Sequence, residues 1–102
     1  MATVKFSPEA LADLEEIKRY IQNDLENDIA AKNTVKKIID RVRELESFPQ
    51  MGAMLSSVTS AETNFRYLLC NNYTVFYRYE EDIVYVVRIM YGRRDYMRVL
   101  FE

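Results

Sequence analysis

The chain has no histidine and no tryptophan, one cysteine, two prolines and two glycines in 102 residues. Each scarcity excludes something. Without histidine, the commonest general base and the commonest transition-metal ligand are missing. A single thiol, Cys70, cannot build a zinc site or an intramolecular disulfide, and its place in a strand marks it as a small core residue. There is no Gly-rich phosphate loop and no Gly-x-Ser-x-Gly elbow. Neither a metal nor a cofactor is therefore expected. No apolar run exceeds a few residues, so no transmembrane helix is expected, and Met1–Val4 leads into structure without the regions of a signal peptide. The chain reads as cytoplasmic.

What is present points to one compact domain over residues 1–102. Apolar residues make up 49% of the chain, enough for one core at this length. The net charge of −2 hides an asymmetry. Residues 1–62 carry eight Lys/Arg against eleven Asp/Glu, whereas residues 63–102 carry six Arg, no Lys and five Asp/Glu. Arginine without lysine suits bidentate contacts to carboxylate or phosphate. The acidic pI of about 5.2 argues against nonspecific binding to nucleic acid.

Thr3-Val4-Lys5-Phe6 alternates and predicts a short strand. Ser7-Pro8-Glu9 is a helix start: a cap, a first-turn proline and a carboxylate for the positive end of the dipole. Leu11, Leu14, Ile17, Ile21 and Leu25 form one apolar stripe, ending in the polar Asn23–Asp28 stretch. A second helix from Asn27 or Asp28 shows Ala31, Val35, Ile38, Val42 and Leu45 and must stop before Pro49. The two predict an antiparallel hairpin. Residues 49–62 lack periodicity and read as a long loop. Three aromatic-rich runs come next, 64–70, 73–79 and 83–91, separated by Asn71-Asn72 and Glu81-Asp82. Turns that short force an antiparallel meander. The expected fold is α+β: a short N-terminal strand and a helical hairpin on one face of an antiparallel sheet.

Two-residue turns fix the expected register. Cys70 pairs with Tyr73, Leu68 with Val75 and Arg66 with Tyr77; then Glu80 with Ile83, Tyr77 with Val86 and Val75 with Arg88. One face then holds Phe65, Tyr67, Leu69, Thr74, Phe76, Ile83, Tyr85, Val87, Ile89 and Tyr91, with Arg78 as its one charge; it is expected to pack on the helices. The other holds Arg66, Leu68, Cys70, Tyr73, Val75, Tyr77, Tyr79, Val84, Val86, Arg88 and Met90. That face mixes arginine and tyrosine into an apolar patch, as interfaces do, and is expected to point outward. Carboxylates such as Asp13, Glu15, Glu16, Asp40 and Glu44 read as solvated helix residues. The candidates left for chemistry are Arg66, Arg88, Arg93, Arg94 and Arg98 with Tyr73, Tyr77, Tyr91 and Tyr96. Arginines stabilise developing charge on a phosphoryl group, and a tyrosine stacks on a base or handles a proton.

Phe6-Ser7-Pro8-Glu9-Ala10-Leu11-Ala12-Asp13-Leu14-Glu15-Glu16-Ile17, Phe48-Pro49-Gln50-Met51-Gly52, Phe65-Arg66-Tyr67-Leu68, Tyr73-Thr74-Val75-Phe76-Tyr77-Arg78 and Ile89-Met90-Tyr91-Gly92-Arg93-Arg94-Asp95-Tyr96 together resemble the RelE/ParE superfamily of toxins from bacterial type II toxin–antitoxin modules. The resemblance spans nearly the whole chain. It implies a growth-inhibiting toxin held in a hetero-oligomer by a cognate antitoxin, with no membrane partner. RelE-like members cleave mRNA on the ribosome without metal; that reading makes Arg66, Arg94 and Tyr96 catalytic. ParE-like members inhibit DNA gyrase. This chain has no Lys or Arg between Arg43 and Arg66, where RelE-like enzymes place catalytic lysines, and its C-terminal run is ParE-like. The balance is toward gyrase inhibition, with an mRNA interferase or an inactive antitoxin-binding relative as alternatives. Residues expected to bind antitoxin or target are Arg66, Tyr73, Tyr77, Arg88, Met90, Arg93 and Arg98.

Overall fold

In the computed structural model, which describes residues 1–55, 63–92 and Leu100, the chain begins as strand β1, Thr3–Phe6. Ser7 turns strand into helix. Its Oγ accepts the Ala10 N–H at 2.9 Å and donates to the Val87 carbonyl at 2.8 Å. Pro8 takes the first helical position, where no amide donor is missed. Helix α1, Pro8–Arg19, continues into one wider π-helical turn, Tyr20–Asp24. Asn27 caps α2, Asp28–Arg43, by accepting the Ala30 N–H at 2.9 Å. A 3-10 turn, Glu44–Glu46, ends it ahead of Pro49. The two helices pack on each other as the predicted hairpin.

The meander forms as the turn lengths require. Strands β3 (Phe65–Cys70), β4 (Tyr73–Glu80) and β5 (Ile83–Tyr91) pair antiparallel, with Asn71, Glu81 and Asp82 at positive φ in the turns. The expected pairs Cys70–Tyr73, Leu68–Val75, Arg66–Tyr77, Glu80–Ile83 and Tyr77–Val86 are all present. Two strands complete the sheet. Ala53–Met54 (β2) pairs with β3 inside the stretch expected to be loop, and β1 lies parallel beside β5. The order is β1-β5-β4-β3-β2, a mixed sheet carrying the hairpin. The α+β class stands.

The expected faces are reversed. The core beneath the helices is built from Leu68, Cys70, Val75, Tyr77, Val84 and Val86 with Ala10, Leu14, Ile38, Val42 and Leu45. That is the side expected to face outward. Tyrosine misled the reading: Tyr77 is fully buried yet its hydroxyl is satisfied, so its ring counts as core volume rather than as an interface anchor. A register shift in β5 accounts for the rest. Phe76 pairs with Arg88 and Val75 with Ile89, not Val75 with Arg88. Val87 is the extra residue of a β-bulge. The bulge moves Ile89 into the core in place of Arg88. Phe76 and Thr74, from the opposite face, are also buried, outside the helix-side cluster.

The stripe on α1 is displaced too. Ala10, Leu14 and Ile21 are buried, whereas Leu11 is 52% exposed and Leu25 is also exposed. Asp13, expected in solvent, is buried. No helix among the described residues is long and apolar enough to cross a membrane.

Candidate functional site

The predicted site residues fall into three places. Arg66 and Tyr77 meet at the Pro49–Gly52 turn. The Tyr77 hydroxyl donates to the Pro49 carbonyl and accepts the Gly52 N–H, each at 2.9 Å. Arg66 Nη1 donates to the carbonyls of Gly52 at 2.8 Å and Gln50 at 3.1 Å. A Cβ on residue 52 would lie 2.6 Å from the Tyr77 oxygen and 2.8 Å from the Tyr67 carbonyl, so only glycine fits. Burial pushes the Tyr77 phenol above its ordinary value, against the smaller opposing effects of the Gly52 bond and the Arg66 charge. Pro-x-x-Gly thus works as a clasp fastening the helix exit to the sheet. Arg66 and Tyr77 belong to the clasp.

Arg88 is held elsewhere. Its Nε and Nη2 donate to the two Asp13 carboxylate oxygens at 2.7 and 2.8 Å, and the Ile89 N–H donates to Asp13 Oδ2 at 2.9 Å. Here β1 has ended, so the edge of β5 has no strand beside it. The Ser7 N–H still bonds the Val86 carbonyl, and one turn and a half further along α1 Asp13 supplies the next acceptor. A helix carboxylate continues the ladder. The Asp13 bond holds Arg88 charged, its pKa raised. Asp13 escaped the sequence reading; its one signal is a position flanking the Ala10–Leu14–Ile17 stripe.

The third place is a groove of about 770 Å³ between the hairpin and the C-terminal end of β5. It gathers Tyr73, Arg88, Met90 and Tyr91 from the sheet, and from the helical side Glu16, Ile17, Tyr20, Ile21, Leu25 and Thr34. Three residues expected to bind a partner (Tyr73, Arg88, Met90) therefore share one cavity, while Arg66 and Tyr77 lie apart from it. Arg93, Arg94, Tyr96 and Arg98 lie outside the described residues. Glu16, Tyr20 and Leu25 were not anticipated. The π-helical turn that presents Tyr20 and Ile21 has no simple sequence signature, and such turns recur at functional sites. Tyr20 and Tyr91 are exposed at the rim, and the lining is mainly apolar. The groove suits a docking segment better than bond-breaking chemistry.

A protein-family profile described as "ParE toxin of type II toxin-antitoxin system, parDE" matches residues 4–96. No curated protein is matched. Among solved structures, a chain described as "Chromosomal ParDE TA system from P. aeruginosa" is similar, with a TM-score of 0.76 and 22% identity over 90% of this chain and 97% of that one. That likeness is one of fold. The profile runs from β1 past the end of β5, and the chain belongs to the ParE toxin family of type II toxin–antitoxin systems.

Proposed function

We infer that this toxin is neutralised by a cognate antitoxin lodged in the groove, and that it stops growth by binding DNA gyrase rather than by cutting mRNA. Both encounters belong in the cytoplasm, and the resting form is a toxin–antitoxin hetero-oligomer. One observation carries the choice of target. Each described sheet arginine already has an internal partner: Arg66 the 50–52 carbonyls, Arg78 Glu80 and the Tyr85 ring, Arg88 Asp13. A phosphoryl-transfer site needs cations aimed at the reacting group, and these are already engaged by groups of the protein itself.

The deciding experiment is cell-free translation with primer extension on the mRNA, run beside a gyrase cleavage assay. Intact mRNA with trapped gyrase–DNA complexes is the expected result. Codon-positioned cuts that vanish in Arg94→Ala would overturn it in favour of the nuclease. Soluble protein harmless to cells on induction without antitoxin would mark an inactive relative.

A further inference from the structure

The groove has a chemical character that the family assignment does not supply. At its sheet end, Tyr73 and Tyr91 stack edge to face, ring centroids 5.6 Å apart and planes at 77°. Tyr91 is fixed through its neighbour Gly92: the Gly92 N–H donates to the Asn72 carbonyl at 2.7 Å, and Thr74 Oγ1 donates to the Gly92 carbonyl at 2.6 Å. Tyr20 faces this pair from the π-helical turn. The Tyr73 phenol is raised by burial first and then by the neighbouring Tyr91 and Tyr20.

Among the described residues that line the groove, two carboxylates, Asp13 and Glu16, stand against one cation, Arg88. Arg88 is surrounded by Asp13, Glu9 and Glu16, all of which favour its charged form. Asp13 takes both of its bonded donors, and among the described residues neither Glu16, on the groove wall, nor Glu9, nearby, has an ion pair of its own. Lys18 and Arg19, the basic residues of α1, do not line the groove. The opposite wall, Ala30 and Thr34, carries no charge. A groove with tyrosine faces, an apolar floor and surplus carboxylate is complementary to a cation on an apolar stem.

We propose that the groove is a cation seat: it takes a partner segment presenting an arginine or lysine between apolar anchors, the cation lying against Tyr20, Tyr73 and Tyr91 and facing Glu16. This rests on reading the groove as the antitoxin's seat, and it adds the chemistry by which the segment is recognised. Apolar anchors fill the floor at Ile17 and Ile21 and reach Leu25 at the rim, and the cation fixes the register. A segment bearing a carboxylate at that position would be repelled by Glu16.

The test uses the full chain and a fragment probe. n-Butylguanidinium is titrated into protein carrying labelled tyrosines, with n-butylurea as the neutral isostere. Saturable ring shifts at Tyr20, Tyr73 and Tyr91 are expected, with guanidinium binding about threefold or more tighter than the urea, as an exposed cation–π contact allows. Glu16→Gln and Tyr91→Leu should each reduce that preference while leaving the fold intact by circular dichroism. Equal shifts from the two probes, shifts spread evenly to Tyr79 and Tyr85, or no saturable shift would each overturn the seat. Failure here is separable from failure of the partner reading. If the antitoxin complex forms and is indifferent to Glu16→Gln, only the cation seat is lost. If no complex forms, the antitoxin reading is lost and the titration still reports on the seat.

Discussion

Asp13→Ala removes the acceptor of three hydrogen bonds at once, and its cost depends on how buried each abandoned group is. Breaking a buried ion pair from one side typically costs about 3–5 kcal/mol. The Arg88 side chain is 30% exposed, against 10% for Asp13, so water can re-solvate part of the stranded guanidinium. The Ile89 N–H is buried and contributes about 1 kcal/mol of the loss. Asp13→Ala should therefore destabilise by about 2–3 kcal/mol, and Arg88→Met, which strands the more buried carboxylate, by about 3–4 kcal/mol. For a domain near this size that is roughly 10–25 °C in Tm. Urea unfolding followed by far-UV circular dichroism is the assay, since the chain has no tryptophan to report by fluorescence. The slope with urea should stay constant while the midpoint falls. The double variant Asp13→Ala/Arg88→Met leaves one unpaired amide and no lone charge, so it should cost less than the two single variants together. A double variant no better than the sum of the singles, or a cost for Asp13→Ala below about 0.5 kcal/mol, would refute the reasoning.

Gly52→Ala drives a methyl to within 2.6 Å of the Tyr77 oxygen and 2.7 Å of its ring; a loss of about 2–4 kcal/mol is expected by urea unfolding. Gly52→Ala/Tyr77→Phe should recover only part of it, because the ring carbon stays in place. Stability should fall as pH rises above about 9. Burial raises Cys70 above 9.0 and Tyr77 above 10.0, so each adds stability that is complete below its unfolded pKa and lost as pH rises toward the folded one. Cys70→Ala should delay the fall in urea midpoint and Tyr77→Phe should make it shallower above pH 10; midpoints unchanged up to pH 11 would contradict both. Leu25→Asp, at the exposed rim of the groove, should weaken the purified antitoxin complex about tenfold or more by calorimetry while shifting stability by less than about 0.5 kcal/mol.

Much of this fold was legible because the deciding chemistry is local. Ser7, Pro8 and Asn27 place the helix ends by capping, which needs only neighbours in sequence. Asn71-Asn72 and Glu81-Asp82 set the ladders because a two-residue turn leaves one register. The faces were not legible for the converse reason. Counting polar groups assigns Tyr77 and Arg66 to solvent, yet both are satisfied by the backbone of 49–52, which a face count cannot see. The partner of β1 is nearly the whole chain away and parallel to it, so no turn announces it, and β2 is too short for an alternation to register. As for the site, Tyr73, Arg88 and Met90 were reached by way of the wrong surface. They lie at one end of the meander, which the register did give, but the groove there is made by a helical turn the register knows nothing about.

One inserted residue connects these observations. Without Val87 as a bulge, Arg88 would point into the core opposite Val75, and Ile89 would lie on the other side. With it, Ile89 fills the core and Arg88 is freed to the open edge of β5 beyond the end of β1. An open edge with an unpaired amide invites a further strand. Here Asp13 satisfies the amide and holds the guanidinium in one step, so the edge is sealed by a helix. That lets α1 lie along β5. The π-helical turn then overhangs Tyr73 and Tyr91, and the space beneath it is the groove. The partner site therefore sits where regular pairing stops, and its shape depends on the Asp13–Arg88 bond holding α1 against β5.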